Sequence, residues 1–323
     1  MGVDKIREKK IILPVFLMGC LFILINGLSL IITNTFEEAG MQAFENPDDP
    51  TNIIIIVAIL LVITLLIIML ARFLKKQIIQ YIILGAIGYT AGYVFYPLYE
   101  ILTSSYVLFR IPISDTANLV LSLSVILAAI SAIILVYVLY KYPEWYVIDI
   151  SGIIVGTGAI AIFGISLGVL VVIILLLILA VYDAISVYKT KHMIDLADTV
   201  MDLKLPVLLV IPKTFPYSLI KETKSLKESI DKGEERDAFF MGLGDIVMPG
   251  ILVIAAYRSI ANGLPLALSA LIGTLVGFSI LMIFVIRGKP QAGLPLLCGG
   301  AILGYIIGSL VLFGKLVGLT FSW

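Results

Sequence analysis

Charge is scarce in this 323-residue chain: Asp, Glu, Lys and Arg make up only 14% of it, and the formal net charge is zero. That balance leaves no basic footprint for nucleic acid. Histidine occurs once, as His192, and cysteine twice, as Cys20 and Cys298. With no Cys–His cluster and no His-Glu-x-x-His pattern, zinc proteolysis is excluded. A lone histidine in a polar loop leaves no Ser–His pair at membrane depth, which argues against a serine mechanism. The two distant cysteines read as small apolar side chains rather than a disulfide or metal pair. Ten-residue alternating segments are missing too, so a β-barrel is not expected.

What the chain has instead is hydrocarbon. Hydrophobic residues make up 61% and the mean hydropathy is +1.13. Runs of about 20 apolar residues are long enough to span a bilayer as helices. Nine are expected, at 11–32, 52–74, 78–101, 114–140, 146–163, 166–188, 239–257, 265–286 and 292–316. The fold class is therefore all-α: a polytopic membrane protein of about nine transmembrane helices. The fifth and sixth spans are divided only around Gly164. The first span is too long for a signal-peptide core and reads as a retained helix. A six-helix portion (1–188), a polar loop (189–238) and a three-helix portion (239–323) follow from the spacing.

Of the 22 Lys and Arg residues, 19 fall at one set of helix ends or in the 189–238 loop. Only Arg110, Arg258 and Lys315 fall on the other side. The positive-inside rule then predicts a cytoplasmic N-terminus and, with nine spans, an external C-terminus. The first external loop agrees, holding Glu37, Glu38, Glu45, Asp48 and Asp49 without Lys or Arg. In the long loop, Lys221 to Arg236 alternates Lys with Glu as a solvated helix or linker would. Leu205 to Pro212 is too short to span. It reads either as an apolar strip on the bilayer surface or as a strand beside the sixth helix, able to capture an unwound peptide edge.

Two aspartates, Asp183 and Asp245, sit inside segments apolar enough to span a bilayer. An ionisable group at membrane depth costs several kcal/mol, so each marks a candidate functional site. With the sixth helix running inward and the seventh outward, both carboxylates are expected roughly 8–10 Å inside the cytoplasmic boundary, at about 1.5 Å per residue. Gly242 and Gly244 strip side chains from the face beside Asp245, and Pro249-Gly250 is placed to bend the helix. Paired carboxylates in an apolar site suit aspartyl hydrolysis, because like charges at close range share one proton. Asp149, in the fifth span, reads as a polar residue near a helix end.

Tyr182-Asp183 and Gly242-Leu243-Gly244-Asp245 resemble the two catalytic motifs of the presenilin and signal-peptide-peptidase aspartyl proteases. Ala292-Gly293-Leu294-Pro295 resembles the third, Pro-Ala-Leu, with Ala292 and Gly293 in place of its first two residues, as in archaeal members. The resemblance implies a presenilin-like bundle in an archaeal plasma membrane, with Asp183 and Asp245 as the catalytic dyad. Tyr182, Gly242, Leu243, Gly244, Ala292, Gly293, Leu294 and Pro295 would shape the substrate site. It implies transmembrane or signal-anchor helices as substrates, no cofactor and no metal. Oligomeric state, accessory subunits and self-cleavage of the loop are not legible. Two other readings stay open: a transporter or channel relaying protons through the aspartates, and a prepilin-peptidase-like protease.

Overall fold

A computed structural model describes residues 2–73, 76–108, 116–190, 208–213, 217–219, 238–286 and 291–319. Nine α-helices fall among them: α1 (Gly2–Glu38), α2 (Thr51–Phe73), α3 (Lys76–Leu108), α4 (Thr116–Lys141), α5 (Trp145–Ser166), α6 (Val169–Ile185), α7 (Leu243–Ser259), α8 (Leu264–Ile286) and α9 (Gly293–Phe313). Seven contain described stretches long and apolar enough to cross a membrane, and α7 is 17 residues long. The molecule is an all-α polytopic bundle, as the hydropathy predicts.

The expected boundaries move where tertiary contacts decide them. The division between α5 and α6 falls at Leu167–Gly168, beyond Gly164. Helix α5 continues through Gly164 because the missing side chain makes room for Ile254 of α7. It stops where the backbone turns extended and the Gly168 amide donates to the Pro47 carbonyl, at 2.8 Å. Helix α6 ends earlier than expected, and its chain continues as a π-helical turn, Ser186–Thr190. The predicted seventh span, 239–257, also needs correction at its start. Residues Ala238–Gly242 form a strand, β2, paired antiparallel with β1 (Leu208–Pro212). The expected strand in the long loop is therefore present, but against α5 and α1 rather than α6. Leu205 to Val207, His192 and the Lys221–Arg236 stretch lie outside the described residues.

Packing in the interior rests on small residues. Apolar side chains gain nothing by leaving lipid for a protein interior of equal polarity, so close backbone approach supplies the attraction. Helices α8 and α9 meet through Gly273 and Gly277 on one side and Gly300 and Gly304 on the other. A side chain on any of these glycines would overlap the partner backbone. Helix α5 packs against α7 and α1 in the same way. Gly156 admits Leu243, and Gly250 of α7 admits Ile160 of α5 and Asn26 of α1. Helix α7 runs through Pro249 as one assigned helix. At the far end of α7, Arg258 donates to Glu37 at the end of α1, at 2.6 Å.

Candidate active site

The β2 strand brings the second acid into place. Gly242 ends β2 and is also the residue preceding the first turn of α7, so the chain changes from extended to helical in one step. Asp245 is then the third residue of α7, not about the seventh as the longer predicted helix implied. There it sits at the positive end of the helix dipole. Asp183 arrives from the opposite direction, in the last turn of α6. The helical chain runs on through the π turn to Thr190, so the amides around Asp183 are spent within the helix and its carboxylate takes its donor from elsewhere.

That donor comes from α9. The Leu294 amide donates to Asp183 Oδ2 at 3.1 Å. Helix starts leave such amides unpaired, so the first turn of α9 is a natural carboxylate cradle. Pro295 takes part at no cost, since its missing N–H falls in the turn where donors have no helical partner. On its other side the same turn meets Asp245. A Cβ on Gly293 would lie 3.1 Å from Asp245 Oδ2. The start of α9 thus stands between the two acids.

Asp183 is only 4% exposed, while Asp245 is partly open. The opening is a cleft of about 140 Å³ bounded by Met18, Met241, Gly242, Asp245, Met282 and Gly293. That is room for a few waters, taking roughly 30 Å³ for each. Gly244 leaves open space beside the acid, with no atom within 4 Å of where a Cβ would stand. Two larger apolar clefts, of about 1220 Å³ between α3 and α4 and about 840 Å³ along α8 and α9, include neither carboxylate. Among the described residues no cation pairs with Asp183 or Asp245 and no metal-binding cluster occurs.

The remaining expected site residues divide. Leu243 is buried against Gly156 of α5, Ala292 is buried, and Leu294 packs on the core. Tyr182 is 51% exposed on the outer face of α6. Contacts with no sequence signature tie the site together. The Tyr188 hydroxyl donates to Gln291 Oε1 at 2.7 Å, linking the π turn after α6 to the start of α9. Cys298 is fully buried one turn beyond Leu294. A Gly-x-Ser-x-Gly stretch, Gly164 to Gly168, holds no nucleophile. Ser166 Oγ donates to the Ile162 carbonyl and accepts from the Ala43 amide. The case against a serine mechanism therefore rests on the lone histidine and on these bonds.

The chain is thus a bundle of membrane-length helices with two acids gathered at the start of α9. Comparison with known proteins gives the family. The family described as "Signal-peptide peptidase, presenilin aspartyl protease" matches residues 19–314. Two solved structures of a presenilin family intramembrane aspartate protease, in P2 and C222 space groups, are each 33% identical with a TM-score of 0.63. The first covers 93% of this chain and 98% of its own, the second 92% and 99%. Comparison with curated proteins returned no match. The chain belongs to the signal-peptide-peptidase and presenilin aspartyl protease family, and it is an intramembrane aspartyl protease.

Proposed function

We propose that Asp183 and Asp245 are the catalytic dyad, hydrolysing peptide bonds in transmembrane or signal-anchor helices. The observation that carries this reading is the α9 start, which donates to Asp183 through the Leu294 amide and stands against Asp245 at Gly293, with Asp245 lining the cleft and Asp183 buried behind it. Two carboxylates so placed hold one proton between them. The ionised one takes a proton from water, and the protonated one polarises the scissile carbonyl. As water adds, its proton passes to the base. The tetrahedral intermediate then collapses with a proton delivered to the leaving amine. Gly242, Gly244 and Gly293 leave space for an extended backbone, and Leu294 and Pro295 form the wall opposite. Tyr182, exposed beside Asp183, contacts the incoming segment.

A helical substrate hides its peptide bonds, so it unwinds before cleavage. Substrates with Gly, Pro or β-branched residues near the cut lose helix most easily. The sheet formed by β1 and β2 adjoins the cleft and suits an unwound segment by strand addition. The Lys- and Arg-rich end that carries the site lies in the cytoplasm of an archaeal cell, with the N-terminus inside and the C-terminus outside. The test is cleavage of a tagged single-span substrate in liposomes. Asp183→Asn and Asp245→Asn keep the shape and remove the acid, and each is expected to lower turnover by about 10²–10⁴-fold. Turnover by either variant at the wild-type rate overturns the dyad.

A further inference from the structure

Asp149 is a further acid inside a membrane-length helix, and the chemistry just described does not use it. It sits one turn into α5 with 7% of its surface exposed. Its Oδ1 accepts the backbone amide of Val210 at 2.8 Å. Val210 is the central residue of β1 and lies opposite Phe240 of β2. In an antiparallel ladder, alternate residues turn their amides away from the partner strand. The Val210 amide is one of these, so its bond to Asp149 ties the sheet to α5. Glycines one and two turns on complete the seat. A Cβ on Gly152 would stand 2.7 Å from Leu209 Cδ2, and one on Gly156 would stand 3.1 Å from Leu243 Cδ1. Residues 149, 152 and 156 share a helix face. That single face therefore receives β1 through Leu209 and Val210, and the first residue of α7 through Leu243.

We propose that Asp149 is a positioning residue for Asp245, acting through β1 and β2; this rests on the dyad reading above. The path is covalent from β2 onward. Gly242 closes the strand, and Asp245 follows within one turn. The register of β2 on β1, and of β1 on α5, thereby sets where the Asp245 carboxylate stands relative to α9. A buried carboxylate is costly where a leucine would pack freely. It supplies an acceptor for a backbone amide that the end of a sheet otherwise leaves unpaired. Glu144, at the start of α5, holds the same loop at a second point, accepting from Ser218 Oγ at 2.6 Å and from the Leu219 amide at 3.1 Å. That contact lies outside the two strands and serves as the comparison.

The test measures kcat, KM and the cut position by fragment mass in liposomes, for Asp149→Leu, Asp149→Asn and Glu144→Ala. Asp149→Leu removes the acceptor at similar volume. It is expected to lower kcat about 10-fold or more, since sub-ångström to 1 Å displacement of a reacting group is costly. Its KM stays within about 3-fold of wild type, and its cut spreads over neighbouring bonds. Asp149→Asn keeps an acceptor oxygen and recovers kcat to within about 3-fold with a single cut. Glu144→Ala keeps the wild-type cut. Wild-type kcat and a single cut in Asp149→Leu overturn the proposal, and so does an Asn variant as impaired as the Leu variant. Should Asp149→Leu not fold, Val210→Pro removes the donor from the other side. It is expected to reproduce the kcat loss, and normal turnover there overturns the tether. Asp245→Asn runs alongside: if it cuts at the wild-type rate, the dyad fails, and this result is separate from any outcome at Asp149.

Discussion

Helices α4 and α5 are neighbours in sequence and similar in length, yet they occupy opposite environments. Over the most apolar 18 residues of each, 17% of α4 is buried against 61% of α5. The buried helix is the less hydrophobic one, with a hydropathy of 2.0 against 2.9. Its sequence shows why. Helix α5 carries Asp149, Ser151, Gly152, Gly156, Thr157, Gly158 and Gly164, all of them buried. Helix α4 turns Ile126, Ile130, Ile133 and Ile134 outward. In lipid, greasy side chains have no reason to turn inward, so small and polar residues mark the interior. The site follows the same rule. It is built from Gly242, Gly244 and Gly293 around two acids, on helices held together by glycine contacts.

The sharpest way to break the contrast is to fill one of those glycines. Gly293→Leu places a side chain where Asp245 stands, and cleavage is expected to fall about 10²-fold or more while the protein still folds. Folding is checked by size-exclusion profile and melting temperature in detergent. Gly304→Val forces α9 off α8, and Gly164→Val strikes Ile254 across the α5–α7 contact. Each is expected to cost about 1–3 kcal/mol, read as a loss of resistance to denaturation in mixed micelles. Arg258→Ala removes the partly exposed ion pair with Glu37, worth about 1 kcal/mol or less. On the lipid-facing side, Ile133→Ala is expected to shift stability by no more than about 0.5 kcal/mol. An α4 substitution costing as much as Gly164→Val would undo the contrast between the two helices.

Much of this arrangement is legible in the sequence, and for a physical reason. An acid inside an apolar run is rare enough to stand out, so Asp183 and Asp245 declare themselves, and the glycines beside Asp245 frame it. Helix spans follow from the thickness of hydrocarbon. The start of α7 is not legible, because Phe239-Phe240-Met241 is equally apolar as strand or helix, and pairing with β1 decides the matter. The end of α5 is set by the bond from Gly168 to Pro47, more than a hundred residues away. The bond made by Asp149 is invisible for the same reason, since its partner is a backbone amide 61 residues on. The glycine spacing of α8 and α9, with Gly273-x-x-x-Gly277 and Gly300-x-x-x-Gly304, was the signal available for their close contact.

The most direct measurement is the position of the scissile bond. Purified protein in liposomes is given a tagged single-span substrate, and both fragments are weighed for wild type, Asp183→Asn and Asp245→Asn. The account predicts a wild-type cut inside the membrane span, toward the end that meets the Lys- and Arg-rich side, and a fragment yield lower by about 10²-fold or more from either variant. A cut confined to residues outside the span, or the wild-type fragment yield from an Asn variant, would contradict it.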